Sequence, residues 1–157
     1  MVCICGLDPG LSGALAFYFL DTPQRVSVID MPLVDKMVDG VSLGEHLRQM
    51  KPDHAFIEGV GAMPKQGLSS TFRFGQAFGI AIGAVAGLQI PFTLVTAAKW
   101  KRAMGLNADK ERSRAMALQT FTAVPQHFAR KKDDGRAEAA LLALYGARTM
   151  QWGGEAA

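Results

Sequence analysis

The sequence has few cysteines and no long apolar segment. Cys3 and Cys5 are the two cysteines among the 157 residues, and their spacing places both side chains on one face of a predicted strand. Such neighbours lack the usual disulfide geometry, so we interpret them as small buried hydrophobic residues. No stretch of eighteen residues is free of polar breaks, and the N-terminus lacks the basic segment and cleavage site of a signal peptide. We therefore expect a soluble intracellular protein with no membrane association.

Histidine is equally scarce, and the sequence shows no internal repeat or interdomain linker. The three histidines are far apart and form no histidine–cysteine cluster with zinc spacing: His46, His54 and His127. That excludes the common structural zinc sites. The length suffices for one sizeable core and is short for two, so we predict a single domain over residues 1–157.

Positive charge is unevenly distributed along the chain. Residues 1–98 carry six Lys/Arg against eight Asp/Glu, a net charge of −2, whereas residues 99–157 carry eleven against six, a net charge of +5. A basic region of this kind suits a phosphate backbone, although lysines on exposed helices are also common without any ligand. The charge therefore favours a nucleic-acid partner without requiring one.

Apolar periodicity and turn signals predict an α/β fold. Five segments have the composition of strands, namely residues 1–10, 11–20, 25–33, 52–60 and 91–95. The first three are joined by short turns and predict an antiparallel meander. Helices are predicted over 42–50, 70–89, 96–106 and 107–121, with side-chain caps at Ser42, at Ser69 or Ser70, at Thr96, and at Asn107 or Asp109. A closing helix is predicted after "KKDD", residues 131–134. This order of elements indicates a mixed sheet.

Two carboxylates lie at the ends of apolar strands. Asp8 ends the first predicted strand, where open α/β sheets usually bind their ligands, although an Asp-Pro-Gly turn also accounts for it. Glu58 ends the apolar stretch "HAFIE", and a carboxylate there is costly to bury unless it is paired or binds a metal. If the first and fourth strands are neighbours, these two side chains meet at one end of the sheet.

Two further carboxylates lie near the start of the last predicted helix, in "KKDDGRAEAALLALYGAR". Glu138 shares a helical face with Leu141 and Leu142, and Asp134 lies one turn earlier. Alternatively, these acids simply enrich the first helical turn, where the helix dipole favours them, and Asp133 offers an N-cap.

If the last helix also lies over this end of the sheet, the four acids converge, and they cannot all ionise without cations. Oxygen ligands with room for water and phosphate select Mg²⁺ or Mn²⁺. Two such ions about 4 Å apart can activate a water and stabilise the leaving oxygen in phosphodiester hydrolysis. The predicted site therefore indicates metal-dependent phosphodiester chemistry.

Four stretches of the sequence match those of a known family. They are "GLDPGLSGALAF", "FIEGVGAMPKQGLSSTFRFGQAFGIAIGAV", "VTAAKWKRAMGL" and "KKDDGRAEAALLALYGAR". In this order and spacing, over nearly the whole length, they resemble the RuvC-like Holliday junction resolvases. The resemblance implies a ribonuclease H-like α/β fold with a five-stranded mixed sheet flanked by helices. It also implies a compact phage or bacterial enzyme, acting in the cytoplasm of a bacterial or phage-infected cell.

The resemblance implies an activity as well: a homodimeric, Mg²⁺-dependent endonuclease, with Mn²⁺ expected to substitute, that resolves four-way DNA junctions by paired symmetric nicks. Asp8 and Glu58 match the first two catalytic, metal-binding acids of the family, and Glu138 matches the last. The remaining acid of the family usually lies three residues earlier, where this chain has Gly135. We assign Asp134 to that role, with Asp133 in reserve.

Basic residues complete the predicted site. Lys101 and Lys110 match family lysines that contact DNA near the active site, and an ammonium beside the scissile phosphate would neutralise developing charge. Lys101 is therefore included among the catalytic residues. The predicted DNA-binding residues are Lys65, Arg73, Lys99, Lys101, Lys110 and Arg114. Alternatively, the basic residues around these lysines form a solvated helix face.

Other functions remain open at this level. A phage nuclease acting on branched or flap DNA requires the same residues. The stretch "GLDPGLSGALAF" also resembles the phosphate-holding hairpin of actin-like ATPases, but those proteins need a second glycine-rich loop and a larger second domain, which the sequence lacks. A catalytically inactive DNA-binding protein is disfavoured because the acids are present.

Overall fold

The structure is a computed structural model, and it describes residues 1–59 and 65–152. In these ranges the strands are β1 (Cys3–Leu7), β2 (Ala14–Phe19), β3 (Ser27–Asp30), β4 (Leu33–Val34), β5 (Met37–Val38), β6 (His54–Gly59) and β7 (Phe92–Thr96). The α-helices are α1 (Gly40–Met50), α2 (Leu68–Gly87), α3 (Ala97–Ala103), α4 (Lys110–Thr120) and α5 (Asp134–Thr149), and two short 3₁₀ helices, Pro125–His127 and Lys131–Asp133, lie between α4 and α5. Residue 60, which the sequence assigns to the end of the fourth predicted strand, lies outside the described residues.

Five strands form one mixed sheet in the order β3-β2-β1-β6-β7. β1 pairs antiparallel with β2, and β2 pairs antiparallel with β3. β6 and then β7 extend the sheet in parallel on the other side of β1. The parallel strands are connected through helices, as parallel pairing requires. This topology confirms the predicted five-stranded mixed sheet and its antiparallel meander.

Helices cover both faces of the sheet, and the alternation of side chains along β1 decides which residue faces which layer. Leu7 packs on the side of α1 and α2, whereas Ile4 packs on the side of α5. A Cβ atom on Gly6 would overlap the backbone oxygen of Ala139, so the glycine allows α5 to lie directly against β1. Asp8 follows Gly6 on this side of the sheet, under α5.

Two helices begin at residues other than the predicted caps. α1 begins after Asp39, whose carboxylate accepts a hydrogen bond from the backbone nitrogen of Ser42. Ser42, the predicted cap, therefore lies inside the first turn. α2 begins after Gly67 with no side-chain cap. Thr96 caps α3 and Asp109 caps α4, as predicted.

The small hairpin of β4 and β5 is absent from the sequence prediction. Its turn residues, Asp35 and Lys36, have φ angles of 49° and 63°. Positive φ angles of this size define the left-handed region, which glycine and, less readily, aspartate or asparagine usually occupy. Asp35 is therefore just one weak sequence signal for the turn.

The cysteines and the apolar character of the helices were both addressed by the sequence predictions. Both cysteines are buried and unpaired, on the face that packs against α1 and α2, as predicted. Across residues 1–59 and 65–152, no helix has the length and apolar character needed to traverse a bilayer.

Candidate active site

Three acidic side chains from three elements meet at one end of the sheet. They belong to Asp8 after β1, Glu58 on β6 and Glu138 on α5, and one oxygen of each carboxylate lies within 4.8 Å of the other two. β1 and β6 are parallel neighbours with Leu7 opposite Ile57, so the next residue of each strand faces α5 side by side. The structure thus brings together three of the four predicted acids. We call them the carboxylate cluster.

Burial and like charge disfavour ionisation within the carboxylate cluster. Burial, followed by the charge of Glu58, raises the pKa of Asp8 to about 7, although the backbone N–H of Gly10, 3.3 Å from Oδ1, acts in the opposite direction. Burial also raises the pKa of Glu58, and a hydrogen bond from Trp100 only partly offsets this. Clustered acids with pKa values perturbed in this way are typical of functional sites.

Asp134, the fourth predicted acid, lies at the border of the carboxylate cluster. Its side chain is 31% exposed, and Oδ2 lies 3.6 Å from the Nζ atom of Lys110. Lys110 Nζ also lies 3.3 Å from Oε1 of Glu138. Asp134 therefore adjoins the carboxylate cluster through a shared lysine, one helical turn before Glu138.

Asp133, the reserve choice, is engaged elsewhere. Its carboxylate is 1% exposed and accepts hydrogen bonds from the backbone nitrogen and the guanidinium of Arg130. Burial alone would raise the pKa of Asp133, but these hydrogen bonds lower it more strongly, and the net shift is downward. The side chain therefore stabilises the chain just before α5, away from the carboxylate cluster.

Gly135 stands where the resemblance would place an acid. A Cβ atom at this position would lie 2.5 Å from the backbone oxygen of Ser12, closer than real Cβ atoms approach. The β1–β2 connection therefore occupies the space that a side chain at position 135 would need. This contact disfavours any side chain three residues before Glu138 in this chain.

The two lysines that the sequence predicts to contact DNA near the site, Lys101 and Lys110, both contact Glu138 of the carboxylate cluster. Lys101, on α3, places Nζ 2.8 Å from Oε1 of Glu138, and its side chain is only 12% exposed. Lys110 lies at the start of α4 and is more exposed. Burial lowers the pKa of Lys110, but the neighbouring charges of Glu138, Asp134 and Asp8 raise it by more.

Trp100 is a site residue that the sequence analysis missed. Its indole Nε1 donates a hydrogen bond to Oε1 of Glu58 at 2.9 Å, and the side chain is fully buried. One sequence signal could have identified Trp100 as a site residue: it lies one helical turn after the Thr96 cap, in the turn of α3 that also carries Lys101. A second signal is that a buried tryptophan usually needs a hydrogen-bond partner for its N–H, which indicates a polar neighbour for Trp100.

The other four predicted DNA-binding residues lie on different elements, and none of them contacts the carboxylate cluster directly in the described part of the chain. Lys99 is exposed on α3, and Lys65 is exposed shortly before α2. Arg73 is exposed on α2 and lines a groove with Gly10, which is hydrogen-bonded to Asp8. Arg114 is not brought to the carboxylate cluster; its guanidinium donates to the carbonyl oxygens of Phe128 and Ala129 and pairs with Glu111.

The carboxylate cluster has the donor chemistry of a site for hard divalent cations. All its side-chain ligands are carboxylate oxygens, the type that Mg²⁺ and Mn²⁺ prefer. Within the described part of the chain, neither Asp8 nor Glu58 forms an ion pair within 4 Å, and both have raised pKa values. Partly buried carboxylates that lack an ion-pair partner of their own fit a bound cation.

Fold and site together define a class: a five-stranded mixed sheet of ribonuclease H-like topology with clustered carboxylates at the end of its central strands. No protein-family model matches the chain, and no curated protein matches it in sequence. Solved structures do match. The chain superposes on Thermus thermophilus RuvC in complex with a Holliday junction substrate with a TM-score of 0.68 and 16% identity, covering 94% of this chain and 96% of that one.

A second structure of Thermus thermophilus RuvC gives a TM-score of 0.63 at 17% identity, with the same two coverages. The chain therefore has the ribonuclease H-like fold of RuvC over nearly its whole length. The low identity means that the likeness is one of fold, and the chemistry must be argued from the residues themselves.

Proposed function

We propose that this protein is a metal-dependent, structure-selective DNA endonuclease that resolves four-way junctions by paired symmetric nicks. The observation that carries the proposal is the convergence of Asp8, Glu58 and Glu138 within 4.8 Å, at the end of the central strands of a RuvC-like sheet. The solved RuvC complex contains a Holliday junction substrate, which supports branched DNA as the substrate class.

The proposed metal ligands are the carboxylate cluster and Asp134. Two divalent cations held there, Mg²⁺ or Mn²⁺, would supply an activated water and stabilise the leaving oxygen of a phosphodiester. The chain's own residues hold the carboxylates in place. The Gly10 N–H binds Asp8, and α5 carries Glu138 and Asp134 one turn apart.

Lys101 and Lys110 provide positive charge at the point where we expect the scissile phosphate. Both ammonium groups contact Oε1 of Glu138, at 2.8 Å and 3.3 Å. Ammonium groups fixed before the reaction stabilise developing negative charge without reorganisation. The proposed DNA surface continues to Lys99, Lys65 and Arg73.

Arg114 remains a proposed DNA-binding residue of lower accessibility. Its side chain is 19% exposed and is bonded to Glu111. Any contact with DNA would therefore use the part of the guanidinium that these partners leave open.

A homodimer is proposed because two symmetric nicks require two equivalent active sites. α2 supports this proposal, since it exposes Leu68, Phe72 and Phe74. Gly79 and Gly83 on the same helix have open space where a Cβ would lie, which permits close approach of another helix.

We propose that residues 1–157 form one nuclease domain, acting in recombination or repair in the cytoplasm of a bacterial or phage-infected cell.

The test is a nicking assay on a four-way junction, a linear duplex and a flap, each with and without Mg²⁺. We expect paired nicks in the junction with Mg²⁺ and no cleavage of linear duplex. Preferential cleavage of the flap would instead support a phage branched-DNA nuclease. Junction binding without cleavage in either Mg²⁺ or Mn²⁺ would point to an inactive DNA-binding protein.

A further inference from the structure

We propose that Trp100 is a positioning residue: its indole N–H orients the carboxylate of Glu58 so that the second oxygen is presented to a divalent cation. This inference rests on the proposed function, because it concerns the same metal site. It assigns to α3 a role in assembling the site that is separate from binding DNA.

The path of the chain brings Trp100 over Glu58. In the parallel pairing of β6 with β7, Glu58 lies beside Val95 and Gly59 lies beside Thr96. Thr96 ends β7 and caps α3 by accepting a hydrogen bond from the backbone of Lys99. One turn into the helix, residue 100 returns to the side of the strand that carries Glu58.

The contact between the two side chains is short, and its donor is fully buried. Trp100 is 0% exposed, and Nε1 lies 2.9 Å from Oε1 of Glu58. An indole N–H can only donate, and an ionised carboxylate can only accept, so the direction of this bond is fixed. A hydrogen bond to a charged acceptor is among the stronger hydrogen bonds in proteins.

A glutamate needs such a contact more than an aspartate does. Its carboxylate is separated from the backbone by three rotatable bonds, and fixing it costs conformational entropy on binding a cation. The indole holds one oxygen before any cation arrives, leaving the other as a ligand. Partners of this kind orient metal ligands, and their loss typically weakens metal binding about 10–100-fold.

The next residue on α3 contacts a second acid of the carboxylate cluster. Lys101 bonds Glu138, and its Nζ lies 5.7 Å from the centre of the Trp100 ring. One turn of α3 therefore contacts two of the three acids. This arrangement explains why a fully buried tryptophan lies so close to a polar site.

The experiment measures Mn²⁺ binding by isothermal titration calorimetry on the full chain, without DNA. Trp100→Phe retains an aromatic ring and removes the N–H donor. We expect its Mn²⁺ dissociation constant to rise about 10-fold or more. Trp152→Phe is the matched control, since the other tryptophan donates to the backbone oxygen of Gly146, and its Mn²⁺ affinity should equal that of the wild type.

A double variant separates positioning from general damage to the site. If Trp100 acts through Glu58, Trp100→Phe weakens Mn²⁺ binding in the wild type but causes no further loss of Mn²⁺ affinity in a Glu58→Ala background. Should Trp100→Phe fail to fold, benzothienylalanine can replace Trp100 in the Trp152→Phe background. It keeps the ring shape and exchanges N–H for sulfur, and the same loss of affinity is expected.

The outcomes distinguish this inference from the proposed function. Wild-type affinity in a folded variant lacking the indole N–H would overturn the positioning role while leaving the nuclease proposal intact. Equal losses in the wild-type and Glu58→Ala backgrounds would also overturn it, because the effect would not pass through Glu58. If the wild type binds no Mn²⁺ and Asp8→Asn changes nothing, the metal site itself is wrong and both proposals fall.

Discussion

The ammonium nitrogen of Lys101 lies 2.8 Å from Oε1 of Glu138, and the two side chains are only 12% and 4% exposed. Lys101→Met keeps the aliphatic stem and removes the charge. Glu138 is then left with Lys110, which is 58% exposed and largely hydrated. We expect the free energy of unfolding to fall by about 1–3 kcal/mol, measured by urea denaturation without metal.

The control is the double variant Lys101→Met/Glu138→Gln, in which the buried negative charge of Glu138 is also removed. It should recover most of the stability that Lys101→Met loses. Equal stability of Lys101→Met and the wild type would show that the buried ion pair contributes nothing to folding, and that Lys110 alone compensates Glu138.

The raised pKa of Asp8 makes stability depend on pH. Its value is about 7 in the folded protein against an ordinary value of 3.8, so the folded state binds more protons between those limits. The stability contributed by this group is complete below about pH 4 and is lost as pH rises through about 7. At about 1.4 kcal/mol per unit, the loss is at most about 4 kcal/mol.

This prediction is checked by thermal and urea unfolding without metal, from pH 4 to pH 8. Asp8→Asn should remove much of the decline and be more stable than the wild type at pH 8. Adding Mn²⁺ at pH 8 should stabilise the wild type and have a smaller effect on the variant. A wild-type profile that rises steadily over this range, with no difference in Asp8→Asn, would contradict the assigned shift.

Asp8→Asn should separate DNA binding from cleavage. Loss of a metal ligand removes several kcal/mol of transition-state stabilisation, which corresponds to a fall in nicking rate of about 100-fold or more. Junction binding, measured by gel shift in Ca²⁺, should stay within about threefold because the basic residues are unchanged. Asp21→Asn, in the exposed turn after β2, is the charge-matched control and should nick at the wild-type rate.

The strand segments, the antiparallel meander and the positions of two acids at strand ends could be predicted because local patterns determine them. Each strand is a contiguous apolar stretch, and Asp8 and Glu58 each stand at the end of one. The two ends meet because β1 and β6 are parallel neighbours, a condition that the strand patterns alone left open. Glu138 was predictable for a similar reason, because helical spacing places it on the buried face of α5.

Other features depend on contacts between distant parts of the chain. The partner of the Trp100 N–H is 42 residues away, and no local pattern specifies it. The start of α1 was misplaced because Asp39 and Ser42 are both good caps and only one can occupy the position. The exclusion of a side chain at Gly135 comes from Ser12, in a loop that approaches only after folding.

Gly135→Ala tests that exclusion directly. The added Cβ would lie 2.5 Å from the backbone oxygen of Ser12, and the backbone would have to move. We expect a loss of about 1–3 kcal/mol in the free energy of unfolding. Gly44→Ala, within α1 and with no atom within 4 Å of the Cβ it would add, should instead stabilise the protein by up to about 1 kcal/mol. A neutral or stabilising effect of both changes would contradict the close contact with Ser12.

The choice between Asp134 and Asp133 as the fourth acid can be settled by comparing two neutralising substitutions. Asp134 is 31% exposed and borders the carboxylate cluster, whereas Asp133 is 1% exposed and is bonded to Arg130. Asp134→Asn should therefore reduce Mg²⁺-dependent nicking by about 100-fold with little change in stability. Asp133→Asn should lower the free energy of unfolding by about 1–2 kcal/mol, and the loss is this small because its partner Arg130 is half exposed. The same substitution should leave the nicking rate of the folded protein nearly unchanged.

Nicking rates at about 20 °C and urea unfolding of the same preparations give both quantities. The opposite pattern, with nicking lost only in Asp133→Asn, would mean that the chain before α5 rearranges when metal and DNA bind.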